Sequence, residues 1–114
     1  MNLADFVSLA QTGKTVLVIA ATHSRSWWVF ETLTANPLDL TRRITRGAGN
    51  EGVEFETGGS IRFLPASAAT SGAFCRVAPD VVILDADAHL SDRVMDELEP
   101  AVATGAAIVR MQLD

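Results

Sequence analysis

At 114 residues the chain can build one hydrophobic core but not two, and 48% apolar with 20% charged residues is the balance of a globular protein rather than a disordered one. A formal net charge of −5 repels phosphate backbones on average, which argues against nucleic acid as a partner unless a local basic patch supplies the attraction. One cysteine, Cys75, excludes an internal disulfide and reads as a small buried hydrophobe in a reducing compartment.

Asn2 can cap a short helix whose apolar face uses Leu3, Phe6, Val7 and Ala10. Thr12-Gly13-Lys14 ends that helix, and Thr15 to Ala21 follows as an uninterrupted apolar strand, the pattern of a parallel sheet's interior. A helix from about Ser24 to Ala35 comes next, closed by Asn36-Pro37. Residues 41–46 fit either a short strand or an exposed turn, and Gly47 to Gly52 reads as a flexible loop. Val53 to Glu56 and Ser60 to Leu64 alternate around Gly58-Gly59, which predicts a β-hairpin. A small-residue loop from Pro65 to Ala73 leads to the strand Val81–Leu84. Ser91 caps a helix with Val94, Met95, Leu98 and Val102 on one face, in which Pro100 is expected to make a bend or a break. Gly105 terminates it, and Ala106 to Met111 is the last apolar strand. Strand, helix, hairpin, strand, helix, strand predicts an α/β layered domain with a mainly parallel central sheet, helices on its faces and one β-hairpin. No apolar run approaches the roughly 20 residues of a membrane span, and the N-terminus has no basic start, so a cytoplasmic protein without signal peptide is expected.

Four segments carry candidate chemistry. Gly13-Lys14-Thr15 looks like the end of a phosphate-binding loop, yet Ser8 stands at the first glycine's position, a helix precedes it and a strand follows. That order is reversed, so the backbone N–H cradle cannot form. Val81-Val82-Ile83-Leu84-Asp85 is a buried strand with a carboxylate at its C-terminal tip, the place where nucleotide hydrolases help hold Mg²⁺; the next residue, where an acid would position water, is Ala86. Asp85, Asp87 and His89 together could bind a divalent cation or could be polar residues at a helix entry. Arg42, Arg43 and Arg46 are the one basic cluster, read either as a solvated turn or as a contact for an acidic partner or DNA. In the second helix Val29, Phe30 and Leu33, with Ser26 beside them, define a buried face, so Trp27 falls at its flank and Trp28 points outward as a partner-binding candidate.

In order and spacing these pieces resemble the ATPase core of phage terminase large subunits, the DNA-packaging motors, over nearly the whole chain. TVLVIAATHSRSWWVFETL is similar to that family's second strand and helix, ITRGAGNEGVEFETGGSIRFLPAS to its glycine-centred hairpin, and VVILDADAHLSDRVMDELEPAVATG to its Walker B strand with the following helix. The resemblance implies a RecA-like fold of the P-loop NTPase class and phage origin, with Asp85 at the Walker B aspartate. It also marks departures: Met1 stands where the Walker A segment should already have ended, and Ala86 occupies the place of the catalytic glutamate. Ser71-Gly72 replaces the family's Arg-Gly pair, and its nuclease domain is absent. The implied protein is a non-catalytic pseudo-ATPase that needs no cofactor and binds a host protein or the phage's own packaging apparatus, with homodimer formation open to it. Residual nucleotide or metal binding at Asp85, or DNA binding through Arg42, Arg43 and Arg46, is the alternative. In such a relic, Asp85 is expected to cap a helix or to meet solvent.

Overall fold

A computed structural model of the chain describes residues 3–47, 51–67, 77–86 and 92–112. Asn2, Ser71, Gly72, Cys75, Asp87, His89 and Ser91, each singled out above, lie outside the described residues.

The first helix, α1 (Leu3–Gln11), buries Phe6, Val7 and Ala10, residues spaced to share one face. It ends in a Schellman turn: Gly13 takes φ +106°, its N–H donates to Ala10 O at 3.0 Å, and Lys14 N–H donates to Leu9 O at 3.2 Å. The glycine-lysine-threonine triplet is therefore a helix stop feeding a strand, as its neighbours predicted. That strand, β1 (Thr15–Ala20), has five of its six residues buried, because it lies in the middle of the sheet with strands on both sides and helices on both faces. Helix α2 (His23–Thr34) follows, starting one residue earlier than its sequence suggests. Residues 41–46, ambiguous in sequence, form strand β2 (Thr41–Thr45); β3 (Gly52–Phe55) and β4 (Ser60–Pro65) make the expected hairpin.

The two turn glycines of that hairpin serve different needs. Gly58 adopts φ +90°, which only glycine takes cheaply, and it has open space around it. Gly59 is needed for proximity: a Cβ there would stand 1.8 Å from the carbonyl oxygen of Ala10, so the hairpin turn packs directly on the end of α1.

Strand β5 (Val81–Asp85), helix α3 (Asp92–Ala103) and strand β6 (Ala107–Met111) complete the sheet. Pro100 does not split α3, which runs through it as one helix, so of the two sequence expectations the break is corrected. Asp96, whose carbonyl loses its donor to proline, is exposed, and water can replace that bond. A second Schellman turn ends α3, with Gly105 at φ +99°, Gly105 N–H on Val102 O and Ala106 N–H on Ala101 O.

The strand order is β2-β3-β4-β1-β5-β6. β4, β1, β5 and β6 are parallel neighbours, and β3 runs against both β2 and β4. Because successive strand residues alternate faces, β1 splits its side chains between two cores. Val16 and Val18 join Phe6, Val29, Phe30 and Phe63 under α1 and α2, whereas Leu17 and Ile19 join Leu64, Leu84, Val94 and Leu98 under α3. This is a helix–sheet–helix sandwich, the layered α/β class that the element order predicts. Among the described residues no helix is long and apolar enough to cross a membrane.

Candidate functional site

Ligand sites in open parallel sheets lie beyond the carboxyl ends of the strands, so the tips of β1 and β5 are the first place to look. β1 ends at Ala20, the chain turns through Ala21, and Thr22 caps α2: its backbone is extended (φ −135°, ψ 165°) and its Oγ1 accepts from Arg25 N–H at 3.1 Å. That cap fixes the first turn of α2 directly over the tip of β5. Arg25 in this turn brings its Nε to 2.6 Å from Asp85 Oδ2, and the same oxygen accepts from Ala21 N–H at 3.0 Å. Asp85 is wholly buried while Arg25 keeps 27% of its side chain exposed.

Asp85 therefore does not meet solvent, and that part of the sequence expectation is corrected. A carboxylate at the end of a buried strand is costly to desolvate unless a cation and a donor answer it, and here both come from the β1–α2 turn. Asp80, exposed at the opposite end of the strand, also binds to β1. Asp80 Oδ2 accepts from Thr15 N–H at 2.8 Å, and Asp80 N–H donates to Thr15 O, also at 2.8 Å. The two aspartates bracket β5 and fasten it to β1 at both ends. Beyond the tip, Ala86 is exposed and its N–H donates to Met111 O at 2.8 Å, which ties β6 to the same corner.

The guanidinium of Arg25 stands against Asp85 Oδ2, so a cation brought to that oxygen would meet its positive charge. Ala86 offers no side chain to orient water. Among the described residues, no three of His, Cys, Asp and Glu come together as a set of metal ligands.

The remaining candidates sit on α2 and β2. Ser26, Val29 and Phe30 are buried and Leu33 packs partly against the same core, which is the face that helical spacing predicted. Trp27 is 39% exposed and leans on Phe30 with ring centroids 5.6 Å apart; Trp28 is 47% exposed. Both indoles thus border solvent at adjacent positions of one helix. The basic cluster is divided. Arg46 turns to the α2 side, where its guanidinium lies 5.6 Å from the Phe30 ring centre and pairs with Glu31 at 3.3 Å. Arg43 pairs across the ladder with Glu54, whereas Ile44 pairs with Val53 of the α1/α2 core, so Arg43 lies on the opposite face of the sheet from that core. Arg42 is exposed at a shift in the ladder between Thr41 and Arg43. The three arginines do not form one continuous basic surface.

Sequence reasoning missed Arg25 and the buried Glu51. Arg25 carries no local signal, since an arginine in the first turn of a helix reads as a solvated charge. Glu51 is 2% exposed just before β3, in a stretch that reads as a flexible loop. A shallow cleft of about 330 Å³ between the end of α2 and β2, lined by Thr34, Asn36, Pro37, Leu38, Thr41 and Ile44, offers no acid, base or nucleophile beyond hydroxyls.

No protein-family model matches the sequence. No curated protein matches it either. Among solved structures the chain is similar to the ATPase domain of the large terminase from Thermus phage P74-26, determined as an arginine-to-alanine mutant, with 21% sequence identity and a TM-score of 0.63. The match covers 94% of this chain and 51% of that one, so the chain spans about half the length of the structure it resembles. What the likeness establishes is the fold: a terminase-like, RecA-type α/β sheet with helices on both faces.

Proposed function

We propose that this chain is a phage-derived, terminase-like scaffold that does not hydrolyse nucleotide and acts by binding a protein partner through the outer face of α2. The observation that carries the reading is the pair Trp27 and Trp28, 39% and 47% exposed at adjacent helical positions. Exposing two indoles to water costs transfer free energy that a partner's apolar surface recovers, and tryptophan is the residue type most enriched in binding hot spots. Glu31 and Arg46, paired beside them, supply the polar rim such a patch needs. The non-catalytic half of the reading is supported by Asp85, whose carboxylate is sealed by Arg25 and Ala21, and by Ala86 after it. The partner class is a host protein in the bacterial cytoplasm or a component of the packaging apparatus.

Two measurements test it. Immobilised protein should retain one partner from infected-cell lysate, and the purified partner should bind Trp28→Ala at least about tenfold more weakly than the parent, a loss of about 1.4 kcal/mol. Equal binding by both baits sinks the tryptophan surface. Calorimetry with Mg-ATP at millimolar concentration should give no heat; a saturable signal lost in Asp85→Ala would instead establish residual nucleotide binding.

A further inference from the structure

Two acids and one base share the flank of α2 that faces β2 and β3. Strand alternation places two of them on the same side of the sheet. Ile44 pairs with Val53 and Thr45 with Gly52, so the next rung sets Arg46 opposite Glu51, on the side of Val53 and the α1/α2 core. The Arg46 guanidinium is not spent on Glu51. It lies over the Phe30 ring and pairs with Glu31 at 3.3 Å, through side chains that are 53% and 46% exposed.

Glu51 is the acid left over. It is 2% exposed, its carbonyl oxygen accepts from Phe63 N–H at 3.1 Å, and its Oε1 is buried with no hydrogen-bond partner among the described residues. Phe63, its neighbour across the ladder, meets Phe30 edge to face with ring centroids 5.5 Å apart. One helical turn before Phe30, Ser26 is 3% exposed, and its Oγ is likewise buried without a partner. A buried carboxylate oxygen with no donor costs more than a neutral polar atom in the same place, and it points to a donor that comes from outside the fold.

We infer that this corner receives a lysine side chain of the protein partner, its ammonium on Glu51 Oε1 and its stem along Trp27. The inference rests on the reading that α2 binds a protein, and it names the chemistry of the group bound. An ammonium carries donors only, and Glu51 Oε1 and Ser26 Oγ are buried acceptors that no donor answers. Trp27, 39% exposed with its ring 5.6 Å from that of Phe30, offers an apolar surface for the stem and a π face for the charge. A compact ammonium on a flexible stem reaches a nearly closed carboxylate where a planar guanidinium is too broad. Arg46 can move aside, because an exposed ion pair is a weak tie. With a net charge of −5 the chain as a whole attracts a basic protein surface and repels a phosphate backbone, so the occupant is a protein side chain rather than a nucleic acid.

Blocked lysine, as its Nα-acetyl methylamide, is the probe, and the norleucine analogue is its uncharged control. Nuclear magnetic resonance of the full isotope-labelled chain follows the indole N–H of Trp27 as either compound is added to millimolar concentration. The lysine probe should give a saturable shift and the norleucine probe none. Glu51→Gln should weaken the affinity at least about tenfold, the scale of a lost charge-assisted hydrogen bond. Arg46→Gln removes the competing cation and should tighten binding; it alters only an exposed pair, which keeps the test decisive should Glu51→Gln fold poorly. Trp28→Ala should leave the affinity for lysine unchanged, since Trp28 is off the flank that carries Trp27, Phe30 and Glu31. Loss of the partner and loss of the lysine site are therefore separate results. The absence of a saturable shift overturns the inference, as do equal shifts from the two probes. So does an affinity that survives Glu51→Gln, or one that falls in Arg46→Gln. A partner lost on Trp28→Ala, with no lysine response at Trp27, would leave the α2 surface standing and refute this site alone.

Discussion

β5 and β6 are neighbouring parallel strands, five residues each, similarly apolar and paired residue for residue, yet they live in different environments. In β5 every residue after Val81 is buried; in β6 Ala107 and Arg110 are exposed and the rest half-covered. The difference comes from position in the sheet, not from composition. β5 has β1 on one side and β6 on the other, so both of its rows of peptide groups and both of its faces are used. Among the described residues β6 has a neighbour on one side only. A parallel strand read as continuous apolar sequence is normally buried on both faces, and β6 is the case where that pattern meets an edge. The same apolar content that makes β5 a core strand leaves β6 only partly covered.

The comparison predicts a graded set of outcomes in chemical denaturation. Ile83→Ala empties a site with no exposure in the middle of β5 and should cost about 4 kcal/mol, near the upper part of the range for such truncations. Next is the corner that anchors β5. Arg25→Ala strands a fully buried carboxylate without its cation and should cost about 3 kcal/mol. Asp85→Asn should cost only about 1 kcal/mol, because the amide oxygen still accepts from Ala21 and the part-exposed Arg25 can turn to water. Finding Asp85→Asn the more damaging of the two would mean that Arg25, not Asp85, is the group held by the fold. Smallest is Val109→Ala in β6, at under about 1 kcal/mol in dilute solution, since that side chain is only partly covered. A loss there matching that of Ile83→Ala would show that Val109 is as fully packed as Ile83 and would break the contrast between the strands.

Most of the element plan was legible in the sequence because it is written in local patterns. Apolar runs marked β1, β5 and β6, alternation around Gly58-Gly59 marked the β3–β4 hairpin, and the spacing of Val29, Phe30 and Leu33 told which side of α2 faces the core. The glycine-lysine-threonine triplet was correctly placed as a helix stop because its flanking elements come in the wrong order for a phosphate loop. Pro100 does not end its helix as a break would require, since an exposed proline can sit within a helix when water takes over the lost bond. Asp85 was misjudged for a deeper reason. Its role depends on partners in the β1–α2 turn, and Ala21, which donates to it, lies 64 residues away.

By itself, then, the sequence determined the alternation of strands and helices, the buried face of each and the layered α/β class, because hydrophobic periodicity and turn chemistry act over a few residues. Tertiary structure alone decided three things. The parallel packing of β1 against β5 brought Arg25 over Asp85 and turned a strand-tip acid that looks like a metal ligand into an anchor. The meander through β2 and β3 separated Arg46 from Arg43 by a sheet. The order of the strands put β6 at the edge of the sheet that the described residues form. Each follows from contacts between residues far apart in the chain, where burial and the geometry of closure, rather than local propensity, set what a side chain can do.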